Sequence, residues 1–110
     1  YKAMEFAGPG LTGLSVSDRF VLCNLAVEAG AKTGLMPVDE VTLEYLEAHG
    51  REPVACYESD PDAEFAEVYD IDLSEIQSVV AKPHFVDNLA PVSEVAGTKI
   101  HEAFLGSCSN

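Results

Sequence analysis

The pattern of apolar and polar positions predicts a first helix over VSDRFVLCNLAVEAGA, because apolar residues recur there at roughly helical spacing. Ser15 or Ser17 can cap the start of this helix, with Asp18 in its first turn, and Gly30 suits its end. The helix is apolar nearly all round from Phe20 to Ala29, so we expect it to be buried on several sides.

Two polar residues, Asn24 and Glu28, interrupt this apolar stretch. They are four positions apart and therefore share one face of the predicted helix. Polar side chains are costly to bury without partners, so this face meets either solvent or a polar site. The pattern alone favours solvent, with a polar site as the alternative.

The rest of the chain alternates between short helical and extended patterns. A strand or turn is predicted in KTGLMP (32–37), and a second helix in DEVTLEYLEAHG, from Asp39 to Gly50. The remaining predictions are a loop over REPVACYESDPDAEF, a strand in AEVYDIDLSEI (66–76), a strand in SVVAKP (78–83), a helical turn near 92–96 and a final strand in IHEAFLGS (100–107). This order predicts a mixed α/β layer structure without fixing its topology.

Charge and composition narrow the functional classes. The 110 residues fit one domain, carry a net charge of −13 and contain no apolar run long enough for a membrane span. Residues 39–76 hold 13 of the 19 acidic residues, against a single basic residue, Arg51. This predicts a solvated acidic face, with a salt-adapted intracellular milieu or a basic partner as alternatives, and it argues against nucleic acid as a ligand. Nothing in the sequence indicates export, so we expect a cytoplasmic protein.

The cysteines give little sign of a disulfide scaffold or a zinc site. Cys23, Cys56 and Cys108 are far apart, odd in number and not arranged in a CxxC pair. We therefore expect reduced thiols and no zinc site built from this chain alone.

Two further residues could carry chemistry. Cys108 lies in GSCSN, where small neighbours would let a bulky group approach, which suits a metal-cluster ligand or a nucleophilic thiol. The alternative is an ordinary free cysteine near a terminus. His84, in AKPHFVDN, is a weak candidate for lining a site, since histidines in loops more often have a backbone partner.

Several segments together resemble the aconitase family. The helix pattern and the segment after it stand as LCNLAVEAGAKTGLMPVDEVTLEYL (22–46), and the cluster motif of the family stands as GSCSN (106–110), with Ser109 where many relatives have Thr. YDIDLSEI (69–76) and PVSEVAG (91–97) also look like this family. AKPHFVDN (81–88) is similar to the branch that contains the large subunits of 3-isopropylmalate dehydratase and homoaconitase.

The resemblance implies an α/β fold of the three-layer aconitase type, with helices packed on a small mixed or parallel sheet. It also implies a hydro-lyase whose [4Fe–4S] cluster is held by three cysteines, leaving one iron open to a hydroxy di- or tricarboxylic acid. Cys108 would be the first of those cysteines, and Asn24 and Glu28 would border the open iron. Cys23 and Cys56 match no ligand position.

Other family features are absent from these 110 residues. The remaining two cluster cysteines and the family's histidine-containing segments do not occur, and neither Arg19 nor Arg51 matches a substrate-binding arginine. The catalytic serine of the family belongs to a swivelling domain, which is a separate small subunit in some members. We therefore expect residues 1–110 to be one partial domain, an internal fragment of a large subunit, that holds no cluster and is inactive alone.

Three functions are compatible with these expectations. The first is isomerisation of 2- and 3-isopropylmalate in leucine biosynthesis, and the second is the same chemistry on homocitrate or citrate. The third is a non-catalytic role, either as a structural domain or as a cluster-free RNA-binding regulator, and the negative charge opposes RNA binding.

Overall fold

The computed structural model describes residues 1–53 and 55–107. In chain order the helices and strands are β1 (Ala3–Glu5), a 3₁₀ helix (Pro9–Gly13), α1 (Val16–Leu25), β2 (Thr33–Leu35), α2 (Glu40–Ala48), a 3₁₀ helix (Leu73–Glu75), β3 (Val79–Ala81), β4 (Leu89–Pro91) and α3 (Val92–Val95). Residues 1–68 form most of one compact unit and residues 69–106 form a second. This mixture of helices and small sheets confirms the α/β expectation.

The first unit is built on a parallel pair of strands. β1 and β2 pair in the register Ala3 with Thr33, Met4 with Gly34 and Glu5 with Leu35. Parallel strands cannot be joined by a tight turn, and here α1 lies in the connection between them and packs against β2. α1 also contacts α2, where the ring of Phe20 meets that of Tyr45 edge to face at 6.0 Å.

Helix α2 begins and ends as the sequence predicts. The side chain of Asp39 accepts a hydrogen bond from the backbone N–H of Thr42, which makes Asp39 the N-cap. After the helix, the N–H of Arg51 donates to the carbonyl of Leu46 and that of Gly50 to the carbonyl of Glu47. This Schellman arrangement requires a left-handed residue, and Gly50 supplies it with φ of 64°.

The second unit contains an antiparallel hairpin. Val79, Val80 and Ala81 of β3 pair with Pro91, Ala90 and Leu89 of β4, and the short helix α3 packs beside β4. The predicted strand at 78–83 and the predicted helical turn at 92–96 are thereby confirmed.

Two predicted strands are wrong. Residues 66–76 form no strand; instead the carboxylate of Asp72 accepts hydrogen bonds from the backbone N–H of Ser74 at 2.8 Å and its hydroxyl at 2.7 Å, which starts a 3₁₀ helix. Residues 100–107 also form no strand and are exposed. An alternating pattern makes a strand only where a neighbouring strand is available to pair with it.

Few apolar side chains are buried within the described units. Leu11, Ala26 and Ala90 are the buried hydrophobic residues among them, whereas Phe104 and Leu105 are more than nine-tenths exposed. Many other large apolar side chains are half exposed or more.

Candidate functional site

Helix α1 and the turn after it carry the two polar residues singled out by the sequence, and the start of the helix is fixed by a capping box. The backbone N–H of Asp18 donates to the Oγ of Ser15 at 3.2 Å, and the backbone N–H of Ser15 donates to the Asp18 carboxylate at 2.9 Å. Hydrogen bonds from Ser15 also lower the pKa of Asp18. Of the two predicted caps, Ser15 is therefore the one used.

Arg19, in the first turns of α1, is buried to 3% exposure. Its Nη1 and Nη2 donate to the two carboxylate oxygens of Asp39 at 2.6 and 2.8 Å. The other hydrogen bonds go to the hydroxyl of Thr42 at 3.1 Å and to the carbonyls of Leu11 at 2.8 Å and Leu14 at 3.3 Å. All three nitrogens of the guanidinium therefore donate hydrogen bonds. The Arg19 side chain thus joins α1 to the 3₁₀ helix at Pro9–Gly13 and to the start of α2.

The ion pair between Arg19 and Asp39 shifts the titration of both groups. The hydrogen bond from Arg19 holds the pKa of Asp39 at about 2, below the ordinary 3.8, and the same hydrogen bond raises the pKa of Arg19. Both groups are therefore charged across the physiological pH range. The sequence pattern predicts Asp39 only as the start of a helix and assigns no structural role to Arg19. The available signal for this role was an arginine at the edge of a mostly apolar helix.

The last turns of α1 lie against β2 at a glycine. A Cβ on Gly34 would stand 2.8 Å from the Cα of Cys23 and 3.3 Å from the Cβ of Ala26. Only glycine allows the strand and the helix to approach this closely. Burial in this contact raises the pKa of the Cys23 thiol, so Cys23 is a packing residue here and not a reactive thiolate.

Asn24 and Glu28 lie in adjoining segments, and both side chains are exposed. Asn24 is in the last turn of α1, and Glu28 lies in the hydrogen-bonded turn that follows it. The predicted helix to Gly30 is too long, because regular helix ends at Leu25. The N–H of Ala31 then donates to the carbonyl of Ala26 and that of Gly30 to Val27, and Gly30 has φ of 88°.

The other two predicted site residues are placed differently. His84 lies in the exposed loop between β3 and β4, in the second unit, where the amide of Asn88 donates to the carbonyl of Pro83 at 2.9 Å. Cys108 lies outside the described residues. Asn24 and Glu28 therefore lie in one continuous stretch of the first unit, whereas His84 lies in the second unit.

The donor atoms of the described residues do not make a metal site. Among residues 1–53 and 55–107, no three His, Cys, Asp or Glu side chains are close enough to hold an ion. Cys23 and Cys56 are free thiols far apart in the chain. An iron–sulfur cluster needs several thiolate ligands, so this part of the chain does not by itself fit one.

A groove of about 450 Å³ lies at the carboxyl ends of β1 and β2. Its described lining is largely apolar and includes two carboxylates, Glu5 and Glu58, with no Lys or Arg among those residues. The hydroxyl of Ser59 donates to Glu5 at 2.6 Å. Ligands of parallel sheets often bind at this edge, but this lining offers no cation for an acidic ligand.

No helix in the part of the chain that the structure describes is both long and apolar enough to cross a membrane.

Comparisons with known proteins cover the whole chain. A family model described as the aconitase family (aconitate hydratase) matches residues 1–110. The chain is 48% identical over 110 residues to the 3-isopropylmalate dehydratase large subunit of Desulfitobacterium hafniense, and 46% identical to that of Clostridium kluyveri. It is also 48% identical to the probable 3-isopropylmalate dehydratase large subunit of Methanothermobacter thermautotrophicus.

Each of these alignments includes 100% of this chain and 26% of the relative, so the chain spans about a quarter of the length of these proteins. Since the family match extends over all 110 residues, the chain belongs to the aconitase family.

Proposed function

We propose that this chain is part of the large subunit of a 3-isopropylmalate dehydratase, a hydro-lyase that isomerises 2- and 3-isopropylmalate in leucine biosynthesis. The supporting observation is that relatives of this name align with the whole chain at 44 to 48% identity. Within the longer protein, the two described units would belong to a three-layer α/β domain. The protein would act in the cytoplasm together with a small subunit that carries the swivelling domain.

Asn24 and Glu28 are the proposed active-site residues of this segment. Both residues are exposed. The Asn24 amide can donate a hydrogen bond to a substrate oxygen, and the Glu28 carboxylate can accept one from a hydroxyl group or a water. Residues 15–34 carry two acidic and two basic residues, so this stretch does not share the acidic excess of the chain.

The proposed cofactor is a [4Fe–4S] cluster in the longer protein, where it would polarise the hydroxyl group of the substrate. Cys108 would be one ligand, and the other cysteines would come from beyond these residues. His84 is proposed, more weakly, as a residue that contacts the substrate.

The test is an assay of the full-length protein with its small subunit, prepared anaerobically with iron and sulfide. We expect isomerisation of isopropylmalate and no turnover of homocitrate or citrate. Asn24→Ala and Glu28→Gln should each lower kcat by ~100-fold or more, whereas Glu47→Gln, at an exposed position of α2, should leave it unchanged. Turnover of homocitrate or citrate alone would refute the substrate assignment.

A further inference from the structure

A partly buried ion pair, such as that of Arg19 and Asp39, contributes little to stability by its charges alone. Removing two charges from water is costly, and well-packed apolar residues often replace such pairs without loss of stability. The pair of Arg19 and Asp39 has a second property, which is geometric. Two parallel hydrogen bonds at 2.6 and 2.8 Å fix both the distance and the plane in which the guanidinium meets the carboxylate.

The hydrogen bonds of Arg19 tie α1 to the segments around it. Asp39 is the N-cap of α2, so Arg19 ties the first turns of α1 to the start of α2. Arg19 also donates to the carbonyls of Leu11 and Leu14, which precede α1. Near the other end of α1, Cys23 lies against Gly34 of β2. Contacts at both ends leave the helix little freedom to tilt.

Asn24 directly follows the second of these contacts, and Glu28 lies five residues beyond Cys23, which corresponds to about 7.5 Å along a helix axis. If the contact at Arg19 is lost, the contact at Cys23 remains as the pivot. A tilt of about 10° would then move Glu28 by about 1 Å, and misplacement on this scale can lower a reaction rate by ~100-fold. Arg19 itself is buried and already neutralised by Asp39, so it has no free charge for a substrate.

We propose that Arg19 and Asp39 are positioning residues, whose ion pair holds α1, and with it Asn24 and Glu28, in the orientation that the reaction requires. The inference rests on the proposed function, because it takes Asn24 and Glu28 to be active-site residues. In this proposal, neither Arg19 nor Asp39 contacts the substrate or the cofactor.

The experiment uses the full-length protein with its small subunit and two variants. Asp39→Asn keeps an oxygen that can cap α2 but removes the charge, and Arg19→Lys keeps the charge but removes the two-pronged hydrogen bonding. We expect kcat to fall at least tenfold in both, KM to change less than threefold, and amide exchange to accelerate over residues 16–30. Arg51→Lys, at an exposed arginine outside the helices, is the matched control and should match the wild type in all three measurements.

The outcomes separate the two proposals. If Asn24→Ala and Glu28→Gln lower kcat but the pair variants lose only thermal stability, with kcat unchanged well below the unfolding temperature, the positioning role is refuted and the proposed site stands. If Asn24→Ala and Glu28→Gln have no effect, the proposed site fails, and the positioning role fails with it. If neither pair variant folds, the pair is a requirement of folding, and the positioning role is refuted.

Discussion

Replacing Gly34 by alanine tests the contact between α1 and β2 directly. The new Cβ would lie 2.8 Å from the Cα of Cys23 and 3.2 Å from the ring of Phe6. The ring can rotate away, but the Cα belongs to the helix backbone and can move only with the helix. Overpacking of this kind costs about 1–3 kcal/mol. Alanine also restricts the unfolded chain more than glycine does, which offsets about 0.4–1 kcal/mol of this cost. We therefore expect a net destabilisation of about 1–2 kcal/mol.

Amide hydrogen exchange on the full-length protein measures this effect locally. A loss of about 1–2 kcal/mol predicts exchange roughly 5- to 30-fold faster in peptides covering β1, α1 and β2. Gly13→Ala is the matched control, because a Cβ at Gly13 meets nothing within 4 Å. Unchanged or slower exchange in Gly34→Ala would refute the close approach of strand and helix. An equal effect in Gly13→Ala would show that steric overlap is not the cause.

Three more predictions follow from the caps and the ion pair. The lowered pKa of Asp39 stabilises the folded state above pH 3.8 by about 1–2 kcal/mol after solvent screening. This stability is lost as the pH falls from 3.8 toward 2. The stability of Asp39→Asn should therefore not show this loss in an acid-unfolding experiment. Ser15→Ala should cost about 1 kcal/mol by chemical denaturation, and Ser17→Ala close to zero, since Ser15 makes the cap. Gly50→Ala should lower stability by about 1 kcal/mol in the same assay, and Gly50→Asn by less, because asparagine tolerates the left-handed conformation.

Local chemistry explains which parts of the fold were predictable. Asp39 and Gly50 were identified as the start and end of α2, because a cap depends on residues within a few positions of each other. Gly30 was predicted to end α1, and it instead closes the hydrogen-bonded turn that follows the helix. The helical turn at 92–96 and the strand at 78–83 were also found from short-range pattern.

Features that depend on distant residues were missed. The alternation at 66–76 is a strand pattern, but pairing depends on a partner, which no local pattern specifies. β1 is only three residues long and pairs with residues 30 positions later. Likewise, the bond between Arg19 and Asp39 joins side chains 20 positions apart. Asn24 and Glu28 were identifiable because both interrupt one apolar segment, and their roles in catalysis remain predictions.

The two strand pairings also differ in what they demand of the folding chain. β3 and β4 close a short loop, and hairpins of this length form in about 1–10 μs. Each pairing between β1 and β2 spans 30 residues, including α1, and the longer loop adds about 1 kcal/mol of closure entropy. We therefore expect the antiparallel hairpin to form early, and the parallel pair to form only after α1 has shortened the path between its strands. Slow pairing of β1 with β2 would then limit the rate at which Asn24 reaches its final position.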